Sequence, residues 1–129
     1  MDAASAGAPS VNFEVDQFEL LILREGDQAS KLDDETIKRL QADHLKYLFR
    51  LQASGKLLGA GAIGVRAPGQ KITGIGFFRL GSVAEVQGLI NEDPSIKAGL
   101  DSAEVLVFLC PKGAFAFPQS IEAGASGRG

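Results

Sequence analysis

The chain has 129 residues, 45% of them hydrophobic and 22% charged, with a formal net charge of −3 and a pI near 5.1. That composition describes one small globular domain, and the acidic balance argues against nucleic acid or an anionic membrane as a partner, because both require a basic surface. A single cysteine, Cys110, excludes an intrachain disulfide and fits a reducing compartment, and no apolar run approaches the ~20 residues of a membrane span.

Residues 1–15 are rich in Ala, Ser and Gly and show no period, so they are expected to form a disordered tail. They lack the basic region and apolar core of a signal peptide, which makes the cytoplasm the expected location. Residues 119–129 have the same tail-like character, leaving a folded domain over 16–118 that is long enough for one core. Gln17 to Arg24 alternates as a strand, with Phe18, Leu20 and Ile22 on one face and Leu21 and Leu23 on the other. After a polar loop over 25–30, a helix starts at Asp33 or Asp34, either of which can cap it, and Gly55 stops it. Ile37, Leu40, Leu48 and Leu51 recur along it at helical spacing. At ~100° per residue His44 falls within ~20° of Ile37, so the chain's one histidine sits in the middle of the face to be buried.

Lys56 to Val65 reads as a glycine-rich strand in which Gly59, Gly61 and Gly64 leave room for a backbone or a ligand. Ala67-Pro68-Gly69-Gln70 is a tight turn with Pro and Gly where type II prefers them. Lys71 to Leu80 returns as the next strand, with Ile72, Phe78 and Leu80 on one side and Ile75 and Phe77 on the other. Ser82 caps a second helix from Val83 to about Asn91. Asp93-Pro94 ends that helix and opens a short helical turn, Ser95 to Ala98, closed by Gly99. Ala103 to Cys110 is a final strand, apolar on both faces.

This order, βαββαβ, is the ferredoxin-like α+β pattern with a four-stranded antiparallel sheet. Two helices cover one face of such a sheet, yet the first, third and last strands carry large apolar residues on both. The second face therefore calls for a cover, and the same face of another copy supplies one, which predicts a homodimer through the sheet.

His44-Leu45 with Leu48, then Gly55-Lys56-Leu57-Leu58 with Ala60-Gly61, and finally Asp93-Pro94 followed by Ala98-Gly99, resemble the YCII-related family of small bacterial proteins over residues 18–108. The resemblance implies a dimeric α/β-barrel of ferredoxin-like subunits, similar to muconolactone isomerases and antibiotic-biosynthesis monooxygenases. It also implies an active site built on a His–Asp pair, which falls on His44 and Asp93. Some members of the family eliminate chloride from a hydroxylated aromatic ring. The chain departs from its relatives at Gln41, where many have arginine, and at Gly61-Ala62, where glycine-proline is common. Without that guanidinium the obvious anchor for a carboxylate is missing.

His44 reads as a general acid–base, or as a core histidine satisfied by a backbone carbonyl. Asp93 reads as its orienting carboxylate or as a plain N-cap, and both roles are compatible. Tyr47, the one tyrosine, either flanks the same pocket or packs beside it. Arg79 either replaces the absent arginine as an anion anchor or keeps its head in water. The pocket is expected between the first helix and the glycine-rich strand, with Gln41 nearby, space left by Gly59, Gly61, Gly74 and Gly76, and Phe77 and Phe78 on the walls.

No cofactor is expected. One histidine and one cysteine offer no metal-ligand spacing, and GAGAIG is followed by a turn and a strand rather than by the helix of a dinucleotide site. Cys110 has no basic neighbour but Lys112 and is not read as a catalytic thiol. The chain is read as a small cofactor-independent enzyme that moves a proton on an aromatic or enolisable small molecule, by elimination, isomerisation or cyclisation. The alternative is a non-catalytic dimeric module that binds a small ligand or serves as an accessory subunit.

Overall fold

The computed structural model describes residues 14–118. The tails expected over 1–15 and 119–129 lie outside the described residues except for Glu14 and Val15, and Val15 opens the first strand instead of belonging to a tail. Eight elements follow in order: β1 (Val15–Glu25), a single 3-10 turn (Ala29–Lys31), α1 (Asp34–Ala53), β2 (Leu57–Ala62), β3 (Ile72–Phe78), α2 (Val83–Ile90), α3 (Pro94–Lys97) and β4 (Asp101–Pro111). The strands form one antiparallel sheet in the order β2-β3-β1-β4. This is the ferredoxin-like α+β fold.

Local chemistry sets the helix starts. Asp33 accepts the Thr36 backbone N–H at 2.8 Å, Ser82 accepts that of Glu85 at 3.1 Å, and Asp93 accepts that of Ser95 at 2.9 Å. Alternation along β1 sends Leu21 and Leu23 towards the helices, where they meet Leu48 and Leu51 of α1, Leu57 of β2, Phe78 of β3, Val86 and Ile90 of α2 and Val105 of β4. Each such side chain contributes about 1.5–3 kcal/mol by leaving water. Glu19 lies on the same face at 1% exposure, and its Oε1 accepts the backbone N–H groups of Leu80 at 2.8 Å and Gly81 at 3.3 Å. A buried carboxylate thus satisfies the backbone where β3 turns into α2.

Several boundaries differ from those expected. β2 ends at Ala62, not Val65, because its ladder with β3 closes at Ala62 opposite Gly74, and Val65 stands fully exposed at 100%. β1 and β4 each begin two residues earlier than the apolar runs suggest, since their ladder extends from Val15 opposite Pro111 to Glu25 opposite Asp101.

The outer face of the sheet carries Phe18, Leu20 and Ile22 of β1 beside Ile75 and Phe77 of β3 and Leu106 and Phe108 of β4. At one end the chain covers this face itself. The segment after β4 folds back so that the Phe117 ring lies 5.7 Å from Phe18 and 5.5 Å from Phe77, with Phe115 5.4 Å from Phe108. Gly59 permits this, because a Cβ there would stand 3.2 Å from the Phe117 ring. Asp16 ties the return in place by accepting the Gly113 backbone N–H at 2.8 Å and pairing with Arg79 at 2.9 Å. Those bonds, the Gly113 one first, hold its carboxyl below the usual value. At the other end Leu106 is 42% exposed.

Candidate functional site

Between α1 and the β2–β3 half of the sheet lies a cleft of about 690 Å³. Its origin is a shortage of side chains. The inner-face positions of β2 and β3 here are Ala60, Ala62 and Gly74, while the same face under the rest of the helical layer carries Phe78 and Val105. Helix α1 spans the gap with Ile37, Gln41, His44, Leu45 and Leu48 facing into it. The lining is mainly aliphatic, which suits a small apolar ligand held by few polar groups.

His44 stands in the wall of this cleft with 16% of its side chain exposed. Its Nδ1 lies 2.6 Å from Oδ2 of Asp93, whose side chain is fully buried. The other oxygen of Asp93, Oδ1, accepts the backbone N–H of Ser95 at 2.9 Å and its hydroxyl at 3.0 Å. Asp93 therefore caps α3 with one oxygen and holds the imidazole with the other. The Ser95 hydroxyl is itself buried and lies 3.3 Å from His44 Nδ1. With Nδ1 taken, the tautomer is set and Nε2, which makes no hydrogen bond among the described residues, is the atom left for a ligand. Burial opposes the imidazolium, but the Asp93 hydrogen bond and the charges of Asp93 and Asp101 outweigh it, so the His44 pKa is raised above 6.5.

Of the other residues singled out in the sequence, Gln41 and Gly61 line the cleft with His44. Tyr47 does not: its hydroxyl donates to the Leu89 carbonyl of α2, and the ring packs against the core. Gly59 and Phe77 belong to the outer face, because their register places them opposite each other on the side away from the helices. Phe78 is fully buried in the core rather than on a cleft wall. Arg79 also faces outward, paired with Asp16, its guanidinium 5.1 Å from the Phe18 ring centroid, so it anchors nothing in the cleft. Gly76 meets Leu57 and Ala60 on the inner face.

Several polar residues of the cleft wall, Arg66, Thr73 and Asp101 among them, carry no sequence signal. Arg66 arrives from the β2–β3 loop, pairing with Glu25 at 3.3 Å. Thr73 of β3 lies beside it in the wall, and Asp101 enters at the first residue of β4. Strand pairing brings Thr73 and Asp101, and the β2–β3 loop brings Arg66, into the same cleft as His44. Among the described residues no group of three or more His, Cys, Asp or Glu side chains could hold a metal ion, and no helix is long and apolar enough to cross a membrane.

A search among curated proteins finds no match. Among solved structures the chain is similar to 5-chloro-2-hydroxyhydroquinone dehydrochlorinase from Burkholderia phenoliruptrix, a complex with 2,5-dihydroxybenzoquinone. The two are 24% identical, with a TM-score of 0.48 over 70% of this chain and 90% of that one. The YCII-related domain matches residues 19–109, from within β1 to near the end of β4. With most of its length matched, the chain belongs to the YCII-related family.

Proposed function

We propose that this protein is a small enzyme that uses no cofactor and moves a proton on an aromatic or enolisable small molecule, with His44 as the base and Asp93 as the residue that orients it. The observation that carries this reading is the 2.6 Å bond between His44 Nδ1 and a fully buried carboxylate, with Nε2 left over in the wall of an aliphatic cleft. A neutral imidazole accepts a proton near neutral pH, and an ionised partner on its far nitrogen stabilises the imidazolium that results. An apolar cleft favours the reaction by excluding water from the carbanion or enolate side of the substrate. Elimination from a hydroxylated ring and isomerisation of an enolisable ketone both need only such a base and a held substrate.

The reading includes a homodimer assembled through the outer sheet face. Its support is the apolar strip left by Leu20, Ile22 and Leu106 beyond the reach of Phe115 and Phe117.

Two assays of the full chain test the base role: chloride release from chlorinated hydroquinones, and deuterium incorporation from D2O into phenylacetone. His44→Gln keeps the fold and lowers the rate of the assay that reports turnover by at least about 10²-fold. Ligand binding measured separately stays within a few fold. A His44→Gln protein as fast as the wild type overturns the base role, and ligand binding without turnover by the wild type overturns the enzyme reading and leaves a binding module.

A further inference from the structure

A second ionisable group shares the cleft with His44, and the His44–Asp93 pair does not use it. Asp101 lines the same cleft from the opening residue of β4. The backbone before it is pinned, with Leu100 N–H donating to the Ser95 carbonyl at 3.0 Å, Gly26 N–H to the Leu100 carbonyl at 2.8 Å and Gln28 N–H to the Gly99 carbonyl at 3.0 Å, and the backbone after it is held in the ladder with β1. Burial holds its carboxyl above the ordinary aspartate value, overcoming the Ser95 and Thr73 hydroxyls and His44, which favour the anion; Asp93 adds to the rise.

The competing carboxylates are spoken for. Glu25 is held by Arg66 at 3.3 Å and Lys71 at 3.4 Å, and Asp93 is fully buried behind the imidazole. Among the described residues Asp101 has no lysine or arginine partner, so only His44 and the two hydroxyls oppose its return to the acid form.

We propose that Asp101 is a second catalytic residue of the cleft, a general acid that gives a proton to the oxygen or leaving group of the substrate while His44 removes one from carbon. The inference rests on the proton-transfer reading above. For an enolisable ketone the C–H electron pair becomes the new C=C bond and the carbonyl π pair moves to oxygen. That oxygen takes the Asp101 proton, leaving a neutral enol, an imidazolium and a carboxylate. No free enolate forms in a poorly solvated site, where an unpaired anion is costly. Both side chains recover their starting states by proton exchange with water at the cleft mouth, where Leu45 and Phe49 are exposed.

Deuterium incorporation from D2O into phenylacetone, followed by proton NMR between about pH 5 and 9, tests this on the full chain and on Asp101→Asn and Asp101→Glu. The amide spectrum of each variant reports its fold. The wild type gives a bell-shaped profile. Asp101→Asn lowers the rate about 10²-fold and loses the fall at high pH, leaving only the rise through the His44 pKa. Asp101→Glu restores part of the rate together with the fall. A purely structural aspartate would slow exchange without erasing that alkaline limb. An Asp101→Asn rate within about threefold of wild type, or a retained alkaline limb, overturns the role of Asp101 and leaves that of His44 intact. Wild-type exchange no faster than buffer, or unchanged in His44→Gln, counts against the base role and the acid role together.

Discussion

The contact between His44 and Asp93 ties the charge of the imidazole to the stability of the fold. The folded pKa lies above that of a free imidazole, so the folded chain binds this proton more tightly than the unfolded one. The pair's contribution is complete below the unfolded value of about 6.5 and is lost as pH rises through the folded value. Asp93→Asn keeps an oxygen for the Ser95 N–H but removes the charge facing the ring. It is expected to lower the His44 pKa and to cost about 1.5–3 kcal/mol, the range for a hydrogen bond to a charged group. Urea unfolding of both proteins at several pH values checks this, with the gap widest below about pH 6.5 and narrowing above it. Because the chain has one histidine, its ring resonances report the pKa without assignment work. An unchanged His44 pKa in Asp93→Asn would contradict the proposed division of labour.

At the scale of elements, two glycines on different loops hold Asp101 in place. A Cβ on Gly26 would stand 2.1 Å from the Gly99 carbonyl oxygen, which is backbone and cannot swing aside. Gly26→Ala is therefore expected to part the loop after β1 from the start of β4, at a cost of about 1–3 kcal/mol or more. Thermal unfolding reads that cost, and a shifted His44 titration reads the displaced Asp101. The same contrast between local and distant causes explains what was legible beforehand. The caps at Asp33, Ser82 and Asp93 and the turn closed by Gln70 N–H to the Ala67 carbonyl at 3.0 Å are short-range chemistry, visible in a few consecutive residues. The buried face carrying His44 follows from helical spacing, whereas Asp93 stands out among 16 acidic residues through family resemblance alone. Thr73 and Asp101 owe their places to which strand pairs with which, and Arg66 to the path of the β2–β3 loop. Alternation correctly puts Phe77 and Phe78 on opposite faces, but it does not say which face holds the cleft.

For the whole molecule the question is what covers the outer face. The apolar residues on both sides of β1 and β3 demand a cover, and a second copy was the only one foreseeable from the strands themselves. The structure supplies part of it from within the chain, since Phe18 is only 1% exposed under Phe115 and Phe117. The segment after β4 has no helical or strand period, so its aromatic residues gave no hint of where they would land. If the remaining strip joins two copies, Leu106→Glu places a charge in the interface but not in the core. Sedimentation equilibrium is then expected to find a dimer for the wild type and a folded monomer for the variant; equal masses would remove the dimer from the proposal.

The bare floor of the cleft has a consequence of its own. Where Ala60, Ala62 and Gly74 stand, the void is set by methyl and hydrogen groups; the two alanines are each one substitution away from a bulkier side chain, whereas a Cβ on Gly74 would stand 2.9 Å from the Gly61 carbonyl oxygen. Which molecules fit, a single substituted ring or a fused bicyclic one, is thus governed by β2 and β3, while the groups proposed to handle the proton sit on α1, the α2–α3 junction and the start of β4. Changes at Ala60 and Ala62 can alter what the cleft admits without touching His44, Asp93 or Asp101.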